Sequence, residues 1–338
     1  MLDVAIEKHA VQIGPRFAIS FQRTLRIPDD NRTYPLPPGL GVFPIRKVED
    51  FKDCLPQQWR EEGGVFIAMY QREALWLGFK GAAWKPNAVK IAIGGINAVS
   101  GQACGVGLHT SPQDYVVAPT QPWLDGINTG HGSVRQFVAM PLGLGYTVEA
   151  SLAGQEKYGG IQITVFEPKP DRFPDAPPSE PDLGPRKVSM ASLGGEGTQS
   201  MGLGAGGVMK QKIYPDPHGI DVWDQENYGR VTVHILNSVQ YREITGEEPP
   251  VTPIDAATYT KHKLPWFDLY DEGKGDVGLS GRLAEAKTIA ERDEERGLAA
   301  DGQDSFEVPE TQIEKLREDE TEVGDRLSTP PCQSGQRR

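Results

Sequence analysis

Cysteine is scarce in this chain: 338 residues hold three, Cys54, Cys104 and Cys332, widely spaced and without a CxxC pair or a neighbouring histidine pair. That pattern argues against a disulfide framework and against a cysteine-based zinc site. Cys54 and Cys104 read as small packing residues. Long apolar runs are also missing, and nothing approaches the ~18 consecutive apolar residues of a membrane-spanning helix. No membrane partner is therefore expected. The opening MLDVAIEKHA lacks a basic segment followed by an apolar run and a small-residue cleavage site, so the expected address is cytoplasmic. Basic residues are outnumbered, with 35 Lys and Arg against 47 Asp and Glu, and no basic stripe stands ready to neutralise phosphates. Nucleic acid is not an expected partner. A GxSxG nucleophile elbow and a GKS or GKT phosphate loop are both absent, which argues against a serine hydrolase of that kind and a P-loop nucleotidase.

What the chain does have is alternation. In RFAISFQRTLRI the residues Phe17, Ile19, Phe21, Leu25 and Ile27 fall on one face, interrupted only by Arg23, and polar or small residues fall on the other. Comparable runs follow at Val65–Tyr70, Ala74–Phe79, Val89–Ile93, Tyr115–Val117, Val134–Met140, Tyr146–Leu152 and Ile161–Phe166, each closed by turn-forming residues. Short strands at this spacing, with no long amphipathic helices between them, predict a mainly β fold: an antiparallel sandwich or barrel-like body with short helices. One early helix is expected over Glu49–Leu55, stopped by Pro56. Another is expected over Val239–Thr245, with Asn237 at its start and Gly246 at its end.

Composition suggests divisions. Residues 1–167 read as a β-rich lobe. Residues 168–207 turn first proline-rich and then Gly/Ser-rich, the text of a linker or long loop. The string GLGAGG at 202–207 belongs to that stretch in this reading, because no strand precedes it and no helix follows, as a dinucleotide loop requires. Residues 208–278 form a second β-rich lobe or complete the first. Residues 279–338 read as an acidic, partly helical and partly disordered tail, since 283–326 alone carry 15 acidic and 6 basic residues. Within it, Leu283, Ala286 and Ala290 share a helical face ending near Gly297, and a second short helix is expected around Ile313 and Leu316.

The densest set of possible metal ligands is DPHGIDVWD. Asp216, His218, Asp221 and Asp224, with His234 on the next strand, have the oxygen-rich chemistry of a divalent-metal site. The same residues are also ordinary turn formers, in which Asp216 and Asp221 bond their own backbone. A second group, LDGINTGHGSVRQ, brings Asp125, His131 and Arg135 close in sequence, as either an acid-base pair or a plain hairpin turn. Trp123, Trp223, Trp266 and Phe267 lie in three aromatic segments that form a ligand or partner surface if they share one rim, or a packed core if they do not. Glu73, among apolar neighbours, reads as an acid with a raised pKa or as half of an arginine ion pair.

The strings PLPPGLGVFPI, QPWLDGI, VRQFVAMPLGLGYTVEASLAG, IYPDPHGIDVWD, ITGEEPPVTP and LPWFDLYDE make the chain similar to an uncharacterised family of microbial proteins over roughly residues 15–275. The resemblance implies one coherent body with the tail outside it, and it carries no activity and no catalytic residues. The functional expectation is a non-enzymatic cytoplasmic protein that binds a protein partner or assembles into a homo-oligomer through its β-rich body. The alternatives are a metal-dependent enzyme, possibly a hydrolase, at the 216–234 cluster, and a carbohydrate or small-ligand binding module. Apart from that divalent metal, no cofactor is expected.

Overall fold

The computed structural model describes residues 1–176, 200–270, 273–298 and 305–317. Its first strands are β1 (Val4–Ile6), β2 (Val11–Ile13), β3 (Phe17–Thr24), β4 (Thr33–Tyr34), β5 (Gly39–Val42) and β6 (Arg46–Lys47). Then come β7 (Val65–Met69), β8 (Ala74–Lys80), β9 (Asn87–Ile93), β10 (Ile96–Asn97), β11 (Val116–Ala118), β12 (Trp123–Leu124), β13 (Gly126–Gly130) and β14 (Ser133–Pro141). The set ends with β15 (Ile161–Pro168), β16 (Ser200–Lys210), β17 (Trp223–Asn237), β18 (Trp266–Tyr270) and β19 (Ile313–Arg317). Among the described residues six short helices accompany them: α1 (Gln57–Glu62), α2 (Val148–Ala153), α3 (Ser238–Thr245), α4 (Ala256–Lys261), α5 (Gly281–Ala284) and α6 (Ile289–Glu295). Among the described residues no helix is long and apolar enough to cross a membrane.

The mainly β, antiparallel character follows from the alternation. In β3 the side chains of Phe17, Ile19 and Phe21 are fully buried in the main core, and Leu25 and Ile27 continue that face beyond the strand. The strand runs antiparallel to β8 from the Ala18 and Lys80 pair to the Thr24 and Ala74 pair. Pairing then passes from β8 to β14, from β14 to β16, and from β16 to the end of β17. β17 is 15 residues long and divides its partners: its first part pairs with β15, which in turn pairs with β9, and its last residues run parallel to β7. Strands from 1–167 and from 208–278 thus share one pairing network of 17 strands, so the second stretch completes the sheet of the first; the sheet does not close.

Four local expectations are corrected. The Gly-rich text from Ser200 onward is strand β16, buried at Met201, Leu203 and Ala205, rather than the end of a linker. Its glycines permit close approach: a Cβ at Gly204 would lie 2.9 Å from the Tyr146 carbonyl oxygen, and one at Gly207 would lie 2.1 Å from that of Pro28. Small residues here are a packing requirement. The 177–199 part of the expected linker lies outside the described residues. Tyr146–Leu152 contains helix α2 rather than a strand, because the Thr147 hydroxyl accepts from the Ala150 N–H and Gly154 adopts the left-handed C-terminal conformation. Pro56 begins α1 instead of ending a helix; only a 3-10 turn, Glu49–Phe51, precedes it. Ile313–Arg317 is strand β19, parallel to β18, not a helix. The helix after Asn237 forms as expected, with the Asn237 side chain accepting from Val239 N–H and Gly246 at its end.

The expected tail is partly body. Leu283 and Ile289 are buried, and the Asp293 carboxylate receives both guanidinium nitrogens of Arg72, at 2.8 and 2.7 Å, and the Tyr146 hydroxyl at 2.7 Å. Two features hid this. The helical stripe is interrupted at Thr288, which caps α6 in a reciprocal bond with Glu291, and the acid that looks solvated in sequence is paired.

Candidate functional site

The five residues of the metal reading do not converge. Asp216 Oδ2 accepts from the Tyr115 hydroxyl at 2.6 Å and from the Trp223 indole N–H at 2.8 Å, while Oδ1 accepts from the His218 N–H. Burial, followed by this carboxylate, pushes the Tyr115 hydroxyl pKa up. Asp224 accepts from the Glu226 and Asn227 N–H groups. Asp221 is exposed in a 3-10 turn, and His218 stands edge-on between Phe173 and Trp223. His234 does face away from Val231, Val233 and Ile235, but α1 covers that face. Its ring stacks on Trp59 at 4.4 Å, Nε2 lies 3.0 Å from the Gly63 carbonyl oxygen, and burial lowers its pKa. Among the described residues no three His, Cys, Asp or Glu side chains are grouped to hold a metal.

The aromatic platform is corrected more sharply. Trp123, Trp223, Trp266 and Phe267 are all buried, none more than 6% exposed. They also fall in separate clusters. Trp223 packs with Leu108, Tyr115, Val117 and Phe166; Trp123 and Phe267 pack with Leu36, Trp76 and Leu316; Trp266 belongs to the main core and donates to Thr260. Large aromatic area stabilises the fold more when buried than when left on a rim.

The 125–135 residues also separate. His131, at φ +56° between two left-handed glycines, is an exposed hairpin tip. Arg135 reaches Asp29 at 3.2 Å. Asp125 is buried, its carboxylate accepting from the Gln211 side-chain amide nitrogen at 2.9 Å while its backbone N–H donates to Gln211 Oε1. Burial drives its pKa up to about 7, opposed by the hydrogen bonds it accepts. Glu73 pairs with Arg23, not Arg72, at 2.7 Å in a buried contact; desolvation raises its pKa and the Arg23 charge opposes that rise.

Two features escaped the sequence. Lys90 is buried on the outer face of β9, with its ammonium 2.7 Å from Asp114 Oδ2, and the same oxygen lies 2.8 Å from His109 Nδ1. This triad ties the 104–115 loop to the sheet. The second feature is a cleft of about 510 Å³ between the start of α1 and helix α3. Leu55, Pro56, Leu142, Leu236 and Ile244 supply apolar walls, and Asp53, Cys54, Ser200 and Gln240 supply polar edges. Leu144 and Tyr158, at 40% and 43% exposure, are among the large apolar side chains left exposed. Both sit close to Leu142: Leu144 is two residues on, and Tyr158 precedes Gly159, whose Cβ would lie 2.9 Å from a Leu142 methyl.

The local sequence builds this cleft rigidly. In α3, Val239 and Tyr241 turn inward while Gln240 and Ile244 turn to the cleft. Behind it Phe66 meets Phe51, Trp59 and Tyr241 at ring separations of 5.6, 6.3 and 6.2 Å. An aromatic wall of that kind holds its shape without a ligand. The contributing residues come from four distant stretches of chain, so no local motif announces them. The cleft holds one carboxylate and no histidine, lysine or arginine. Such a surface suits the burial of apolar side chains more than proton transfer. Comparison with protein-family models, with curated proteins and with solved structures finds no match.

Proposed function

We propose that the protein is a non-enzymatic binding protein whose cleft between α1 and α3 receives an apolar segment of a protein partner. The observation that supports this reading is the cleft itself. Its volume of about 510 Å³ lies within the range of ligand sites, five of its lining residues (Leu55, Pro56, Leu142, Leu236 and Ile244) are apolar among polar edges, and its floor is backed by packed aromatics. Exposed Leu144 and Tyr158 extend the same apolar character outward. A peptide that seats one or two leucine-sized side chains gains about 1.5–3 kcal/mol for each. The metal-enzyme reading draws no support from residues that are spent on Tyr115, Trp223 and backbone donors, and the carbohydrate reading draws none from buried tryptophans.

The test uses a displayed library of random peptides selected against the full-length protein. Peptides with apolar anchors should emerge, bind in the micromolar range, and lose at least tenfold in affinity for Leu142→Arg and Ile244→Arg, two half-buried positions, with an unchanged unfolding midpoint of each variant checked alongside. Failure to select any apolar peptide, or unchanged binding to both variants, would overturn the proposal.

A further inference from the structure

Of the six histidines, all of them among the described residues, only His234 is buried, at 1% exposure. It lies two residues before Leu236 of the cleft, on the same face of β17. Its ring stacks on the Trp59 indole of α1 at 4.4 Å, with 18° between the planes. A carbonyl oxygen only accepts, so Nε2, 3.0 Å from the Gly63 carbonyl oxygen, carries the imidazole proton, and Nδ1 is the nitrogen that acid must protonate. One side chain thus holds the middle of α1 through Trp59 and its C-terminal end through Gly63. Trp59 in turn packs in one cluster with Leu55, Leu236 and Tyr241, against which Ile244 rests. Leu55, Leu236 and Ile244 are three of the apolar walls of the cleft, so the His234 contact and the cleft belong to one packed unit.

Protonation works against this arrangement. A buried imidazolium loses the hydration it has in water, and burial lowers the His234 pKa below its ordinary 6.5. The Gly63 carbonyl and the Glu62 carboxylate favour the charged ring and oppose that fall without reversing it. Other ionisable groups on the surrounding elements are exposed or engaged elsewhere. Arg60 and Glu61 are exposed on α1. Arg46, in register with Phe66 and His234, pairs with Glu247, which also accepts from the Tyr241 hydroxyl. At the 157–159 turn, Glu149 accepts backbone N–H groups and Lys157 lies over the Tyr158 ring. We infer that His234 is a proton-operated latch: neutral, it holds α1 against β17, and on acidification it lets α1 lift, which withdraws Trp59 from its cluster and opens the Leu55 wall of the cleft. Release of an occupant by acid rests on the reading of the cleft as a partner site; the latch itself does not. A closed state that resists the proton and an open state that takes it near pH 6.5 make opening easier as pH falls, by up to about thirtyfold at pH 5. Asp29, Glu73 and Asp125, whose pKa values burial raises, act in the opposite sense. Acid loosening confined to α1 therefore belongs to His234.

Hydrogen exchange of the full-length protein, read by mass spectrometry at pH 7.5 and 5.0 and corrected for the intrinsic pH dependence of exchange, tests the latch. Amides of α1 should lose at least fivefold in protection at pH 5.0 while those of β8 and β9 keep theirs. His234→Phe keeps a ring against Trp59, His234→Gln keeps a donor for Gly63, and neither titrates. In both variants the pH effect on α1 should shrink to less than twofold. Unchanged protection of α1 in the wild type, or the same loss in both variants, would overturn the proposal. If neither variant folds, an NMR titration of the wild type decides, with the His234 ring identified by its contact with Trp59: a midpoint below 6.5 accompanied by loss of that contact supports the latch, and a midpoint at 6.5 or above refutes it. The coupling to the cleft has its own readout. An apolar peptide selected at pH 7.5 and free of His, Asp and Glu should bind the wild type at least fivefold more weakly at pH 5.0 and His234→Gln equally at both; equal binding to the wild type at both pH values refutes the coupling. If no peptide is selected, the cleft reading fails, and the exchange data still decide the latch.

Discussion

Asp125 offers the most direct quantitative test of how the body is built. The carboxylate is buried between β12 and β13, where the Gln211 amide donates to it, and burial raises its pKa from an ordinary 3.8 to about 7. A folded-state pKa above the unfolded one means that the native state holds a proton which the unfolded chain has already released. Below pH ~4 both states are protonated and the group contributes no pH dependence. As pH rises from ~4 to ~7 only the unfolded state ionises, so stability falls, and above ~7 the penalty levels off. A shift of about three pKa units corresponds to about 4 kcal/mol over that window, an upper figure because the buried site can relax around the charge. Asp125→Asn keeps an oxygen to accept from Gln211 and cannot ionise. The variant should match the wild type near pH 4 and exceed it by up to about 4 kcal/mol at pH 7.5. Urea unfolding from pH 4 to 8, read as the difference between the two proteins, isolates Asp125 from Asp29 and Glu73, whose pKa values burial also raises. A flat difference curve would show that the carboxylate is solvated or paired in solution, and the reasoning from burial would fail.

Three other expectations follow from particular contacts. Gly207→Ala should cost more than about 3 kcal/mol, read as a lowered unfolding midpoint, because its Cβ meets the Pro28 carbonyl oxygen at 2.1 Å and neither backbone can yield cheaply. Asp216→Ala leaves the Tyr115 hydroxyl and the Trp223 indole N–H without their acceptor, for an expected loss of about 2–4 kcal/mol; elemental analysis of the same variant reports whether any metal is lost with it. Arg23→Met should destabilise by about 3–5 kcal/mol because it removes the cation that offsets the burial of the Glu73 carboxylate, whereas R23M/E73L together should recover part of that loss, the Tyr70 N–H then lacking its acceptor, and thermal melts of the two variants separate a buried charge from simple packing.

Much of the sheet was legible because period-two alternation reports directly on a strand with one buried face. Phe17, Ile19 and Phe21 lie where their spacing puts them, and Arg23, the one interruption, lies on the same face because Glu73 waits there. Legibility ended where packing depends on distant partners. The glycines of β16 look like linker text until Tyr146, Pro28 and Ile289 are laid against them. The 146–152 stretch alternates like a strand, yet Thr147 and Gly154 cap it as a helix. The same limit explains the acidic tail, where Asp293 is one more acid in sequence and the anchor of α6 once Arg72 is beside it.

The candidate site was illegible for a related reason. Chemistry-bearing residues invite attention, and in this chain they are consumed internally: Asp216 by Tyr115 and Trp223, His234 by Trp59 and Gly63, Arg135 by Asp29, and the tryptophans by three separate clusters. A polar residue whose hydrogen bonds are already satisfied within a packed body has little capacity left for a ligand. What remains open is the opposite kind of surface. Leu142 and Ile244 are half-buried, lie about a hundred residues apart, carry no chemistry, and meet only because β16 and β17 pair at Ser200 and Leu236 between them. If that cleft holds a partner, its specificity resides in shape and apolar area, which are properties of the fold and have no signature in any short stretch of the chain.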